Sequence, residues 1–575
     1  MEKKYINLRE ILIGIMFILL LSMVGARAVQ VQIYDGPWLS KQASNQYERS
    51  FTTFGRRGTI YDRNFREMAV SIEVTSIAAY PRQITNVDAT AKALAKALKM
   101  KSRHIRQKLT AAKKFVWIKR QSTPKETAAV KKLKLDGIDF VPECNRFYPN
   151  TTLAAQALGF TGLDGDGLEG IEFFYNRDLK AEHNNYIVFK DALGNGFKAE
   201  IDPVTLNRGN NLVLTIDSNI QFISETALQE TVDQYSARSG MVVVMQPKTG
   251  AILALAHYPF FNPNAYTDFS KELWRNRIIT DAFEPGSTMK IFSAAAAIES
   301  GTITPNTIFY CENGAYRIGK NVVHDIKRHG WLSLQQIIKF SSNIGAVKVG
   351  EKIGPRRLYQ TFRAFGFGEK TGFDSPGETA GSLSHYKHWS SIDTGAISFG
   401  HGISASALQL IRAVSAIAND GILMKPYIVQ AVTDRQGRPI KTFKPIKIRR
   451  AISAQTAMRV KNIMRTVISK GGTGMLAALD GYHASGKTGT ARKIDDSGAY
   501  STEKHIASFV GFAPTENPEI AILVIIDEPQ KKYYGGIVAA PVFKQIAQDA
   551  LNYLGIPPRG TINKLRVARD KEIRG

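Results

Sequence analysis

Cysteine is scarce in this chain: 575 residues carry only two, Cys144 and Cys311. A disulfide-stapled scaffold is therefore excluded, and the pair reads as two buried thiols in different domains of an exported protein. No set of His and Cys has metal-ligand spacing and no glycine-rich loop is arranged to cradle phosphate, so neither a metal nor a cofactor is expected. Internal repeats and low-complexity tracts are also missing. The formal net charge of +26 invites a nucleic-acid reading. Zinc-finger spacing, an RNP signature and a long Lys/Arg block are all lacking, so nucleic acid is not an expected partner. A thinly spread positive charge suits anionic lipid head groups or an acidic polymer outside the membrane. With 44% hydrophobic and 22% charged residues the chain is globular, and its length calls for two or three domains.

Long apolar runs are equally rare. One stands out: after Lys3, Lys4 and Arg9, residues 11 to 26 (ILIGIMFILLLSMVGA) hold no charge. The run is slightly long for a signal-peptide core and slightly short for a spanning helix, and Ala26-Arg27-Ala28 imitates a cleavage site. An uncleaved anchor over 11–31 is the favoured reading, because residues 28–31 extend the helix if Arg27 snorkels at the outer boundary. Basic residues before the run orient it with the N-terminus inside, which makes 1–10 a cytoplasmic tail.

Charge is missing from another place where one residue breaks the pattern. Lys290 is the only charge between Ser287 and Ile298 in EPGSTMKIFSAAAAIES. A segment apolar on every side is a core helix, expected here from about Ser287 to Ser300 between Pro285-Gly286 and Gly301, and an unpaired ammonium inside it is costly. Ser287 and Lys290 share a face three residues apart. A desolvated lysine favours its neutral form and can take a proton from the serine, so the pair reads as an activated nucleophile. Ser-x-x-Lys also occurs at 122/125, 384/387 and 501/504. The first of these is a helix start with Thr123 as cap, and the others lie in polar stretches where a lysine is solvated at no cost.

Two further stretches complete the constellation. Residues 331–354 open on a Ser333/Gln336 capping box and run as helix, with an interruption at Ser341-Ser342-Asn343 before a second helical stretch. The plain reading is a turn; the functional one has Ser341 relaying a proton and Asn343 holding Lys290. Lys-Thr-Gly occurs at 248–250 in a hairpin turn, at 370–372 in a loop and at 487–489 in HASGKTGTARK. Only the last opens an extended segment beside a groove, where Gly489 lets a ligand backbone approach and Lys487, Thr488 and Thr490 can bind a carboxylate. Strand patterns at 210–217 and 241–256, and again from 483 to 529, flank long helical stretches and precede a helix at 541–554. Distant segments then close one sheet in an α+β domain.

In order, Ser287-x-x-Lys290, Ser341-x-Asn343 and Lys487-Thr-Gly489 resemble the penicillin-binding protein and serine β-lactamase superfamily, for which this motif set is a known signature. The segments RRGTIYDRN (56–64), RFYPN (146–150), GLEGIE (167–172) and SFGHGISASALQL (398–410) are similar to class B penicillin-binding proteins, and DEPQKKYYGGIVAAPVF (527–543) to their division-specific transpeptidase. The resemblance implies a membrane anchor, an elongated non-catalytic pedestal of the dimerisation type over 32–215, and a transpeptidase domain over 216–556. That last domain would carry an antiparallel sheet with helices on both faces and a helical subdomain. A basic tail would follow over 557–575.

By the same resemblance, Ser287 attacks a D-Ala-D-Ala stem peptide, Lys290 is the base and Ser341 carries the proton. Asn343 orients Lys290; Lys487, Thr488, Gly489 and Thr490 form the carboxylate and oxyanion side. The implied function is septal peptidoglycan cross-linking in a bacterial cytoplasmic membrane, blocked by β-lactams. Its implied partners are a polytopic glycan polymerase and other division proteins. An elongation-specific transpeptidase, a D,D-carboxypeptidase, a β-lactamase and a β-lactam-sensing scaffold are the alternatives.

Overall fold

The computed structural model describes residues 8–181, 183–190, 196–197, 208–494 and 499–558. Most of the expected cytoplasmic tail and nearly all of the expected basic C-terminal tail lie outside these residues. The described chain forms two compact units, one of residues up to 56 with 181–208 and one of 57–180 with 209 onward.

In the first unit, α1 (Leu8–Val29) continues through a π-helical turn at Gln30–Tyr34, and the 27 residues together are long and apolar enough to cross a membrane. At ~1.5 Å per residue such a helix exceeds a hydrocarbon core of about 30 Å. Arg27 Nη1 donates to Gln30 Oε1 at 2.9 Å, so the charged head is met by a polar partner near the end of the helix. The same unit holds an antiparallel sheet of Glu48–Phe54, His183–Lys190 and Gly196–Phe197.

The second unit is built on a five-stranded antiparallel sheet. In chain order its strands are β1 (Ser239–Met245), β2 (Ile252–Tyr258), β3 (Ser485–Ile494), β4 (Tyr500–Ala513) and β5 (Ile520–Asp527), arranged β2-β1-β5-β4-β3. Strands more than 200 residues apart thus pair side by side, as the patterns at the two ends of the domain imply. Every residue of β1 and β5 is buried, and successive side chains go to opposite faces. Met241, Val243 and Met245 join one core cluster with Leu523 and Ile525, while Val242 and Val244 join another with Ile522 and Val524.

The second cluster is closed by α2 (Ser218–Gln234) and by the C-terminal helix Ala540–Tyr553, the first by α3 (Lys290–Glu299), Ala407–Ala418 and Ala454–Ile468. The alanines of α3 are all buried. Small side chains let neighbouring helices approach this central helix on every side, which leaves Lys290 wholly within the domain.

A second sheet joins strands from 60–147 to Asn211–Leu214, Val429–Thr433 and Pro439–Thr442. Its longest strand, Glu67–Ala79, pairs along its length with Ile138–Phe147 and is covered by helices Val87–Leu98 and Ser102–Leu109. Three of the quoted family segments converge here. Glu172, with no exposed surface, accepts from Arg57 Nε at 2.5 Å, Arg146 Nε at 2.6 Å and Tyr148 Oη at 3.3 Å. Two arginines hold that carboxyl below its usual range against the opposing effect of burial. Of the two cysteines expected to be buried, Cys311 is, but Cys144, on the largely half-exposed strand Ile138–Phe147, is only half-buried.

Candidate active site

The turn that carries Ser287 is shaped by its own residues. Gly286 has φ +55°, Pro285 stands before it, and the Thr288 hydroxyl donates back to Pro285 O at 2.8 Å. The turn over Gly286–Met289 is 3-10, and the α-helix begins only at Lys290. The helix expected from Ser287 thus starts three residues later, with Ser287 half-buried at the lip of the turn. Gly286 N–H donates to Gly400 O at 3.2 Å, and a Cβ on Gly400 would lie 2.0 Å from Gly286 O. The 398–402 loop must therefore be glycine where it backs the turn.

Lys290 Nζ does not bond Ser287 in this structure. It donates to Ser341 O at 2.7 Å, Ser341 Oγ at 3.2 Å and Asn343 Oδ1 at 2.7 Å. Ser341 ends α4 (Leu334–Phe340) in a left-handed conformation, φ 60°, and Ser342 caps α5 (Asn343–Ile353) by accepting from Gly345 N–H at 2.9 Å. A non-glycine residue in that region is strained by about 1–2 kcal/mol. The strain has a visible result, since both the carbonyl and the hydroxyl of Ser341 face one amine. The Ser333/Gln336 capping box forms as expected, although Trp331–Ser333 before it is a short strand and not the first helical turn.

Lys487 enters from β3, also without exposed surface. Its Nζ donates to Ser341 Oγ at 2.9 Å and Thr488 O at 2.9 Å. One hydroxyl thus accepts from two buried amines while keeping its own hydrogen to donate, so Ser341 links two sites that can gain or lose a proton. Burial brings Lys290 down to about 7, with Asp325 partly opposing the fall. Burial, and then the facing charge of Lys290, bring Lys487 well below the ordinary lysine value. Both amines are pushed toward the neutral form.

Gly489 is closely packed by two neighbouring segments. A Cβ there would lie 2.3 Å from Ser508 Oγ and 2.9 Å from Thr288 Cγ2, so its bareness lets β3 pack against β4 and the Ser287 turn. Thr490 Oγ1 accepts from Gly535 N–H at 3.1 Å, and Thr488 Oγ1 donates to Thr473 Oγ1 at 3.1 Å. The other Ser-x-x-Lys pairs have local explanations. Thr123 and Glu126 form a capping box, Ser384 accepts from Trp389 Nε1, and Ser501 Oγ accepts from the N–H of Lys504.

Two residues of the site had no signal in the sequence. Asp325, just past the strand Asn321–His324, accepts the N–H of Asn343 at 2.5 Å and of Ile344 at 3.1 Å and the Ser342 hydroxyl at 2.5 Å. A carboxylate there complements the start of α5 and fixes Asn343. Thr473 joins β3 to the end of α4, with its own N–H and hydroxyl both 3.3 Å from Lys339 O. Neither residue belongs to a recognisable pattern, and each becomes visible only when distant segments meet.

A family model for the penicillin binding protein transpeptidase domain matches residues 240–548, and one for the penicillin-binding protein dimerisation domain matches 52–214. The chain belongs to the class B penicillin-binding proteins. It is similar to the probable peptidoglycan D,D-transpeptidase PenA of Neisseria meningitidis, at 36% identity over 93% of this chain and 90% of that protein. It is similar also to the peptidoglycan D,D-transpeptidase FtsI of Escherichia coli, at 33% identity over 96% and 93%. The crystal structure of penicillin-binding protein 3 from Mycobacterium tuberculosis, complexed with aztreonam, superposes with a TM-score of 0.69 at 27% identity, covering 88% of this chain and 98% of that one. This class B protein is a serine-type peptidoglycan D,D-transpeptidase, and its fold supports interactions with peptidoglycan and β-lactams. Its N-terminal helix fits a single-pass membrane anchor.

Proposed function

We propose that Ser287 is the nucleophile of this transpeptidase and that the proton it loses passes to neutral Lys290. The observation that carries this is the Ser341 hydroxyl accepting from both Lys290 and Lys487. Ser287 Oγ attacks the carbonyl between the two D-alanines; the N–H groups of Ser287 and Thr490 meet the developing oxyanion. Losing such a donor typically costs about 100- to 1,000-fold in rate. The tetrahedral species collapses as Ser341 delivers a proton to the departing D-Ala amine, replenished from Lys290 or Lys487. Lys487, Thr488 and Thr490 hold the terminal carboxylate, and Asn343 keeps Lys290 aimed. An amine from a second stem then takes the acyl group and leaves a cross-link. A β-lactam acylates the same serine and stalls there.

The biological setting we infer is septal synthesis, on the likeness of 527–543 to the division-specific enzymes. The N-terminus is then cytoplasmic, the catalytic domain lies outside the membrane, and the pedestal faces a glycan polymerase and other division proteins. Residues 11–31 are the anchor in this reading, 32–215 the pedestal and 216–556 the catalytic domain.

Intact mass and peptide mapping of the full-length chain in detergent after exposure to a labelled penicillin test the chemistry. One adduct on the Ser287 peptide, absent in Ser287→Ala, is expected; labelling that survives this substitution sinks the assignment. Depletion in growing cells tests the setting: filaments with unclosed septa are expected, whereas rounded cells assign the enzyme to elongation.

A further inference from the structure

The nucleophile turn is held from one side by a carboxylate that the chemistry above does not use. Glu284 lies three residues before Ser287, just after the short strand Ala282–Phe283, which pairs with Ala405–Ser406. Its side chain is 15% exposed, and His401 Nδ1 stands 3.3 Å from Oε2. Oε1 accepts from Gly402 N–H at 2.9 Å, and the Tyr500 hydroxyl lies 3.1 Å from both oxygens. His401 Nδ1 is also 3.2 Å from Tyr500 Oη, with the two rings edge to face. Three segments far apart in the chain therefore meet on one carboxylate.

Each of the three is attached to the site. Glu284 leads directly into the turn. The loop carrying His401 and Gly402 accepts the Gly286 N–H through Gly400 O. Tyr500 is the first residue of β4 and faces Ile494 at the end of β3, the strand whose beginning holds Lys487 to Thr490. Among the described residues no Lys or Arg pairs with Glu284. Its partners are instead a backbone N–H and a phenol in hydrogen-bond geometry, with an imidazole 3.3 Å away. Burial pushes the Glu284 carboxyl up, but His401, Gly402 and Tyr500 bring it below the usual carboxylate range. Burial and the facing carboxylate push Tyr500 up to about 12. The carboxylate thus stays an acceptor and the phenol stays a donor around neutral pH.

We propose that Glu284, with His401 and Tyr500, forms a clasp that sets the gap between the Ser287 turn and the Lys487–Thr490 edge, making Glu284 a positioning residue for acylation. The proposal rests on reading Ser287 as the nucleophile. The acyl carbonyl must fit between two oxyanion donors, one on the turn and one on β3, and a misplacement of about 1 Å in such a constellation can lower the rate roughly 100-fold. A surface ion cluster with no such duty adds little to stability and leaves acylation alone.

The test measures the second-order acylation rate of the full-length chain in detergent with a fluorescent penicillin. Glu284→Ala is expected to slow acylation about 10- to 100-fold while labelling still reaches one adduct per chain on Ser287. Tyr500→Phe should slow it about 3- to 10-fold. The double variant should be no slower than Glu284→Ala alone, because the phenol has already lost its acceptor. Glu284→Gln keeps an acceptor for Gly402 N–H and should recover part of the rate. Wild-type acylation in either single variant, or losses that multiply in the double, overturns the clasp. Should Glu284→Ala fail to fold, Tyr500→Phe carries the test alone, since it removes one hydroxyl from a residue 44% exposed. Failure of the nucleophile assignment looks different, for the adduct would then appear on another residue in the wild type or persist in Ser287→Ala.

Discussion

The pH dependence of acylation should report the environment of Lys290. An ordinary lysine titrates near 10.4, so at pH 7 about one in 2,500 is neutral. With burial bringing Lys290 to about 7, roughly half is neutral at pH 7. The gain in the proton-accepting form is on the order of 1,000-fold, which matches what a positioned base is asked to contribute. The sign is fixed by the neutral form being the reactive one. Acylation should fall about tenfold per pH unit below the midpoint and level off above it, reaching roughly nine-tenths of its plateau one unit higher.

Asp325 supplies a second handle, because it is the charge that opposes the downward shift of Lys290. Asp325→Asn removes an anion that favours the ammonium, so the midpoint should move to lower pH. The plateau should also drop, since Asp325 accepts from Asn343, Ile344 and Ser342 and an amide replaces those charge-assisted bonds imperfectly. Stopped-flow acylation by a fluorescent penicillin between pH 5.5 and 10.5, on wild type and Asp325→Asn, measures both quantities. A midpoint near 10, a flat profile through this range, or an upward movement in the variant would refute the argument that desolvation prepares Lys290 as the base.

Glu172→Gln should lower the melting temperature markedly, because Arg57 and Arg146 are left buried without an anion; breaking such a pair typically costs about 3–5 kcal/mol. An unchanged melting curve in a thermal shift assay would show that the cluster is dispensable. Gly489→Ala should slow acylation at least about tenfold by driving β3 off Ser508 and Thr288, with Gly489→Ala/Ser508→Gly recovering part of the loss. Normal acylation in Gly489→Ala would show that neither this packing nor ligand approach requires a glycine there. Thr473→Val should weaken donor binding by loosening Thr488, read as a higher KM with kcat largely kept; an unchanged KM counts against a role for that hydroxyl in holding the carboxylate side.

What could be read from the sequence follows from how far each cause reaches along the chain. Lys290 announced itself because a charge in a run of alanines violates a local rule, and the capping boxes at Thr123 and Ser333 need only four residues to be recognised. The break at 341–343 was equally local, since Ser and Asn compete for backbone hydrogen bonds. Asp325 and Thr473 leave no such trace, and Glu284, though it opens the quoted EPGSTMK segment, breaks no local rule; the duty of each is defined by a partner that the fold brings in from elsewhere. Gly489 shows an intermediate case, where the glycine is visible in the sequence and part of its packing is visible only in the fold. A glycine signals close approach, and the packing adds that Ser508 and Thr288 are among the groups that approach. The site is therefore legible where chemistry strains local structure and silent where distant segments hold it in place. Such supporting residues are best sought among polar groups whose hydrogen bonds cross more than one element.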